Sequence, residues 1–193
     1  MTDSPKPYIA VLGDVHGHLQ LGLCVLARRQ AELGIRLTSV YLCGDVGTFT
    51  AEDPPDSATR SHARGNPCEL EFLTQWAADP PPPWLEAVFR PADAGGLGLD
   101  CPVIMVHGNH EGFRRLERLA PTHVPKYVAD PDELPAVDRG GWIRYLPSGW
   151  RVAGPGGLVV AGMGGIDPAP ALIDKRLYVR DETNLICLDV AAR

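Results

Sequence analysis

Residues 8–17 read YIAVLGDVHG, an apolar run that changes into a glycine-rich turn. An apolar run bounded by such a turn is typical of a buried β-strand. The following residues carry apolar side chains at helical spacing up to Gly34, and glycine is a common residue at the end of a helix. A second apolar and β-branched run covers residues 38–42. This order of strand, helix and strand predicts a right-handed crossover within a parallel sheet.

The rest of the chain first repeats this layout and then changes it. A third apolar strand is predicted over 102–106, followed by a helix that ends near Pro121. After Pro135 the sequence turns to short apolar runs separated by glycine, which favour a second, largely antiparallel set of strands. These runs cover residues 142–146, 150–153, 158–163, 177–179 and 185–188. We therefore predict one α/β domain over 1–193, in which a βαβ half precedes a β-rich half and helices pack outside two sheets.

Two segments interrupt the alternation of strands and helices. Residues 50–67 are rich in Pro, Asp, Ser, Arg and Gly, and this composition predicts a mobile loop insertion rather than a simple connection. Residues 80–83 are all proline, which excludes helix there and favours an extended proline spacer over 79–83.

Charge and composition exclude several classes of protein. The chain has 193 residues, 18 basic and 24 acidic side chains, a net charge of −6 and 45% hydrophobic residues, enough for one ordinary core. An acidic chain has no broad attraction for nucleic acid or anionic membranes, although bound divalent metals or a local cationic groove would change that. Five cysteines without a C-x-x-C pair indicate reduced thiols. Because no apolar run is long enough to span a bilayer, we expect a cytoplasmic protein with no membrane partner.

Polar side chains follow each of the first three predicted strands. Asp14 and His16 follow the first strand, Asp45 the second, and Asn109 and His110 the third. Because ligands collect at the carboxyl edge of parallel sheets, we expect these side chains to converge in one cleft. Carboxylates, an imidazole and an amide suit Mn²⁺, Fe or Zn²⁺ better than Ca²⁺. Asp45 is placed to bridge two such ions, which together can clamp the attacking and leaving oxygens of a displacement at phosphorus.

Three short sequences carry a resemblance to a known family. Residues 13–17 (GDVHG), 44–45 (GD) and 108–111 (GNHE), in this order and each at a strand end, resemble the first three signature motifs of the calcineurin-like metallophosphoesterases. The resemblance implies hydrolysis of a phosphomonoester or phosphodiester by a metal-activated hydroxide. Further details are similar to lariat-debranching-like members and to related bacterial phosphoesterases, namely CGD at 43–45, GGW at 140–142 and GGI at 164–166.

The resemblance also implies a role for each residue of the three motifs. Asp14 and His16 would bind the first of two divalent ions, Mn²⁺, Fe²⁺/³⁺ or Zn²⁺. Asp45 would bridge the two ions, and Asn109 would bind the second. His110 would lie outside the coordination sphere as the catalytic acid, where it contacts the phosphate and protonates the leaving oxygen.

Substrate recognition is less specified by the sequence. His18 and Arg114 are candidates for contacting the substrate phosphate, although a solvated position on a helix explains either side chain as well. The motifs would bind only the phosphate and the metals, so they do not distinguish between mono- and diesters. Nucleotides and nucleic acid are among the candidate substrates.

The sequence departs from the family in its C-terminal part. The family pattern continues with an isolated histidine and a Gly-His-x-His, whereas none of the six histidines here follows His123. Three explanations compete: a fragment of a longer enzyme, a short member that uses one metal or borrows ligands, and a scaffold that keeps the fold as a binding surface. A final strand over 185–190 would leave an unpaired sheet edge, which favours truncation, a homo-oligomer or a partner chain.

Overall fold

The computed structural model describes residues 6–121, 124–164, 172–173, 176–180 and 184–189 of the chain. The structure is mixed α/β, with one parallel sheet and a separate mixed sheet. The described helices are α1 (Leu19–Leu33), α2 (Ser57–His62), α3 (Pro83–Phe89) and α4 (Phe113–Leu119). The described strands are β1 (Tyr8–Gly13), β2 (Leu37–Cys43), β3 (Val103–Val106), β4 (Tyr127–Val128), β5 (Ile143–Tyr145), β6 (Arg151–Ala153), β7 (Val159–Gly164), β8 (Leu172–Ile173), β9 (Arg176–Arg180) and β10 (Asn184–Asp189).

The first sheet is parallel and has the strand order β1-β2-β3-β5. Leu12 pairs with Leu42, and Leu42 pairs with Met105, so the ends of the first three strands lie side by side. The predicted βαβ unit and third parallel strand are confirmed. The strand expected over 142–146 was assigned to the antiparallel half, and this assignment is wrong, because β5 pairs in parallel with β3. Hydrophobic periodicity identifies a strand but not the strand beside which it lies.

The second sheet has the order β4-β6-β7-β10-β9-β8. Its pairs are antiparallel except for the parallel pair β4 and β6, which confirms the largely antiparallel second set of strands. The expectation that the last strand leaves an unpaired edge is wrong. β10 pairs with β7 on one side and β9 on the other, and the edges of the sheet are the two-residue strands β4 and β8.

The two central strands of the parallel sheet alternate between two cores. On β2, Val40 and Leu42 belong to the core formed with the helices, whereas Tyr41 belongs to the core shared with the second sheet. β3 divides in the same way, with Met105 on the helix side and Ile104 on the other. Strands buried on both faces read as continuous apolar runs, which explains their sequence pattern. Rigid, buried strands therefore support the loops at their carboxyl ends.

The helices that build the first core cover one face of the parallel sheet. α1 buries Leu19, Leu23 and Ala27 at a spacing of four residues, and it ends at Gly34 in the left-handed conformation with φ 60°. The predicted helix and its glycine stop are confirmed. α3 and α4 also contribute buried side chains to this core. Within the described ranges, no helix combines the length and the apolar composition that crossing a bilayer requires.

Segments 50–67 and 79–83 differ from their predicted conformations. Residues 50–67, predicted as a loop, contain α2 and bury Thr50, Asp53 and Thr59, so the prediction of a loop insertion is corrected. A turn of 3₁₀ helix (Pro67–Leu70) and a π-helical turn (Phe72–Trp76) follow α2. The proline spacer is shorter than expected, because α3 already begins at Pro83, where the missing N–H is tolerated.

Candidate metal centre

Three side chains from two strand ends form a compact group of metal-ligand type. Asp14 and His16 lie in the loop after β1, and Asp45 follows β2. One ligand atom from each lies within 4.8 Å of the others. Within residues 6–121 and 124–164, no other group of three or more His, Cys, Asp or Glu side chains has such geometry. The predicted convergence at the carboxyl edge of the sheet is confirmed for these three residues, which can hold a metal ion.

The imidazole of His16 lies at the centre of this group. Its Nε2 is 2.8 Å from Oδ1 of Asp14 and 3.9 Å from Oδ2 of Asp45. The backbone N–H of His16 donates to the carbonyl of Asp45 at 2.9 Å, which joins the two loops. The side chain of Asp14 is 61% exposed and that of Asp45 only 3%, so the group opens to solvent on one side.

The same three residues adopt an unusual backbone conformation. Asp14, His16 and Asp45 have φ values of 52°, 40° and 49°, and they are the non-glycine residues with positive φ in the described part of the chain. This conformation is costly for residues with a Cβ and is retained where the surroundings demand it, commonly at functional sites. The strain therefore coincides with the group that can hold a cation.

The chemistry of the group fits a divalent cation. Two carboxylates face the same imidazole nitrogen, and Glu69 approaches the other nitrogen of the ring at 3.3 Å. Oxygen and nitrogen atoms held this close repel one another unless a proton or a metal ion lies between them. Mixed carboxylate and imidazole ligands suit Mn²⁺, Fe and Zn²⁺. Asp14, His16 and Asp45 are therefore the residues that can hold one divalent ion.

Asp45 is fixed by the loop that follows β3. The backbone N–H of His110 donates to Oδ1 of Asp45 at 2.9 Å. Gly108 approaches the same carboxylate so closely that an added Cβ would lie 2.0 Å from Oδ1 and 2.5 Å from the Asp45 nitrogen. Only a residue without a side chain allows this contact. Gly108, at the carboxyl end of β3, therefore packs against a candidate metal ligand.

Glu111 links the loops after β2 and β3. Its carboxylate is 4% exposed and accepts hydrogen bonds from the N–H of Val46 at 2.9 Å, and from the N–H and hydroxyl of Thr48 at 2.9 and 2.7 Å. Burial raises the pKa of Glu111 to about 7, against the lowering effect of these hydrogen bonds. Glu111 belongs to the recognised GNHE sequence, but its bracing role was not predicted.

His110 lies beside the group of three and contacts a different helix. Its ring centroid is 5.5 Å from that of His16. Nδ1 of His110 is 3.7 Å from Oδ2 of Asp56 and 3.4 Å from the hydroxyl of Thr59. Asp56 caps α2 by accepting from the N–H of Thr59 at 2.8 Å. Partial burial raises the pKa of Asp56, but the hydrogen bonds from Thr59 and the charge of His110 outweigh it, so the net shift is downward.

The other predicted site residues lie around this group. Asn109 is exposed and directly precedes His110 in the loop that contacts Asp45. Nδ1 of His18 lies 3.2 and 3.1 Å from the backbone carbonyls of Val15 and His16, so this ring stabilises its own loop. Arg114 is exposed in the first turn of α4.

Sequence reasoning missed three side chains next to the two imidazoles: Asp56, Thr59 and Glu69. An Asp followed by helix-forming residues is a helix-start signal, so the cap at Asp56 could have been recognised. The contact of Glu69 with His16 spans 53 positions in the chain and leaves no local pattern. Only the folded chain brings these groups together.

Comparison of the chain with protein-family models, curated proteins and solved structures finds no match.

Proposed function

We propose that the chain is a metal-dependent phosphoesterase with a fold of the calcineurin-like metallophosphoesterase type. The observation that carries the proposal is the group of Asp14, His16 and Asp45, with His110 donating its backbone N–H to Asp45. Motifs far apart in sequence meet at one edge of a parallel sheet, as catalytic groups of open α/β proteins do. The substrate is a phosphomonoester or phosphodiester, and nucleotides and nucleic acid are within this class.

In this proposal the described residues divide the work between metal binding and proton transfer. Asp14, His16 and Asp45 would hold one divalent ion, and Asp45 together with Asn109, from the loop after β3, would hold a second. The ions supply Lewis acidity, which polarises the phosphoryl group and favours the deprotonated form of the attacking water.

His110 acts as the general acid. The attacking water releases one proton to the solvent and its oxygen forms the new bond to phosphorus, while the bond to the leaving oxygen breaks and His110 gives its proton to that oxygen. Nδ1 of His110 is next to Asp56 and Thr59, so Nε2 is the nitrogen available to the substrate. A positioned general acid contributes about 10²–10⁴-fold to a rate. The single side chain of His110 therefore accounts for a measurable share of the activity.

Hydrolysis with and without metal tests the proposal. Wild type, Asp45→Ala and His110→Ala are assayed with Mn²⁺ on 4-nitrophenyl phosphate, bis(4-nitrophenyl) phosphate and the corresponding alkyl esters. We expect metal-dependent hydrolysis that is lost in Asp45→Ala. His110→Ala should lose more rate on alkyl than on nitrophenyl esters, because an alkoxide needs a proton to leave and a nitrophenolate does not. Equal rates in wild type and both variants would contradict the proposal.

The scaffold alternative differs in its response to metal. A protein that binds an ion only when folded is stabilised by it, by about 2.7 kcal/mol when the ion is at 100 times its Kd. We expect Mn²⁺ to raise the melting temperature of wild type but not of Asp45→Ala. An unchanged melting temperature of wild type at saturating Mn²⁺ would favour a scaffold.

A further inference from the structure

We propose that Glu69 is the positioning residue of the metal centre, because it holds the imidazole of His16 so that Nε2 faces Asp14 and Asp45. This inference rests on the proposed metal binding at this site. It adds a residue that lies outside every motif, in the 3₁₀ turn Pro67–Leu70.

The geometry around His16 assigns different roles to its two ring nitrogens. Oε2 of Glu69 lies 3.3 Å from Nδ1, while Nε2 is the atom next to Asp14 and Asp45. An Nδ1–H that donates to a carboxylate leaves the lone pair on Nε2, which is the form of histidine that binds a metal. The contact with Glu69 therefore selects the tautomer and the ring orientation that the group requires.

Glu69 is itself held in place. Its side chain is 12% exposed, and Oε1 is 3.5 Å from the amide nitrogen of Asn66. A largely buried carboxylate with a second contact loses little side-chain freedom on pairing, unlike an exposed ion pair. Glu69 thus differs from the more exposed glutamates of α1 and α3, which pair with exposed arginines.

The backbone that carries Glu69 is locked against the loop that carries His16. Gly17 has a φ of 76°, and a Cβ on it would lie 1.9 Å from the carbonyl oxygen of Cys68. One turn further, the N–H of Gln20 donates to Oε1 of Glu71 at 2.8 Å. These two contacts set the distance between the Pro67–Leu70 turn and the loop after β1. The approach of Glu69 to His16 is therefore determined by packing on both sides of it.

Glu71 supplies a matched control two residues away. Both of its hydrogen bonds, from Gln20 and from the indole nitrogen of Trp76 at 3.0 Å, are accepted by Oε1. The carbonyl oxygen of a glutamine can accept the same two bonds. Glu71→Gln therefore removes a carboxylate two residues from Glu69 and leaves His16 untouched, whereas Glu69→Gln removes the carboxylate that contacts His16.

Calorimetric titration with Mn²⁺ alone tests the inference on the full chain. Wild type, Glu69→Gln, Glu69→Ala and Glu71→Gln are compared, and the melting temperature of each metal-free protein is measured beside them. We expect a Kd about tenfold higher in Glu69→Gln, since removing the carboxylate partner of a metal-ligating histidine costs about 10–100-fold in affinity. Glu71→Gln should keep the wild-type Kd, and metal-free Glu69→Gln should keep the wild-type melting temperature.

A spectroscopic readout separates positioning of the ligand from general stability. The visible absorption of Co²⁺ bound at the site depends on the arrangement of the ligands, so we expect the bands to shift in Glu69→Gln but not in Glu71→Gln. The same Kd and the same spectrum in wild type and Glu69→Gln would overturn the inference while leaving the proposed function intact. A wild type that binds neither Mn²⁺ nor Co²⁺ would overturn both.

Discussion

The substitution Gly108→Ala tests whether the close approach of the loop after β3 defines the metal centre. The new Cβ would lie 2.0 Å from Oδ1 and 2.8 Å from Cγ of Asp45, whereas Cβ atoms are essentially never closer than 3.0 Å to such an atom. The carboxylate must therefore move by about 1 Å, and the backbone of one loop must move as well, because the new Cβ would also lie 2.5 Å from the Asp45 nitrogen. Metal–ligand distances tolerate about ±0.2 Å, so either movement exceeds what a bound ion allows.

The cost in stability follows from the same contact. Overpacking by one methyl group in a tightly packed region costs about 1–3 kcal/mol. For a chain of this size, each kcal/mol lowers the melting temperature by about 2–4 °C, so we expect a decrease of about 2–12 °C. The loss of metal binding should be the larger effect, because Oδ1 of Asp45 also loses its alignment with the N–H of His110.

Two measurements and one control make this prediction decisive. Circular dichroism gives the melting temperature of metal-free protein, and the rise in melting temperature with Mn²⁺ reports binding. Gly65→Ala is the control, since its Cβ would meet only the carbonyl of His62 at 3.7 Å and its φ lies outside the left-handed region. We expect wild-type metal binding in the control and none in Gly108→Ala. A Gly108→Ala protein with wild-type affinity for Mn²⁺ would refute the reasoning about Asp45.

Three further predictions concern carboxylates around the site. Asp56→Ala should lower the stability by about 1 kcal/mol through loss of the α2 cap, whereas Asp56→Asn should keep the cap and the wild-type stability in a melting experiment. Both substitutions should slow hydrolysis, because each removes the charge next to His110. An unchanged rate in Asp56→Asn would contradict this. Burial raises the pKa of Glu71 above its ordinary 4.5, so the folded chain binds this proton more tightly than the unfolded chain does, and stability falls as the pH rises from 4.5 through the raised pKa. Glu71→Gln should remove that loss, so its advantage over wild type in urea unfolding should be small at pH 4 and grow toward neutral pH; a constant difference would argue against it. Glu111→Ala should destabilise by about 3 kcal/mol or more, measured by urea unfolding, because it leaves buried donors of Val46 and Thr48 without a partner; a loss below about 1 kcal/mol would show that water replaces the carboxylate.

Local sequence carried much of the information about the first part of the fold. Short apolar runs identified β1, β2 and β3, and the spacing of Leu19, Leu23 and Ala27 identified α1. These elements depend on burial patterns within one segment, and such patterns can be seen along the chain. The position of the polar residues directly after each of these strands also placed them at one edge of the sheet.

Pairing between distant segments was predicted less well. β5 has the same alternation of apolar side chains whether it joins the parallel or the mixed sheet, and its partner β3 is selected only when the surfaces of both strands pack. The last strand β10 was expected at an edge, yet it lies between β7 and β9. In segment 50–67, the polar composition concealed α2, whose stability comes from its Asp56 cap and the burial of Thr59.

By itself, the sequence determined which ligand types are available at the strand ends and in which order they occur. Asp14, His16 and Asp45 could be singled out because a parallel sheet brings its carboxyl ends together. Only the tertiary structure decided what surrounds them: the three positive φ values, the contact of Gly108 with Asp45, and the carboxylate of Glu69 next to His16. The physical reason is that these features arise from close packing between loops distant in sequence. Differences of about a few tenths of an ångström in the distances between side chains decide whether such a group can bind a metal ion.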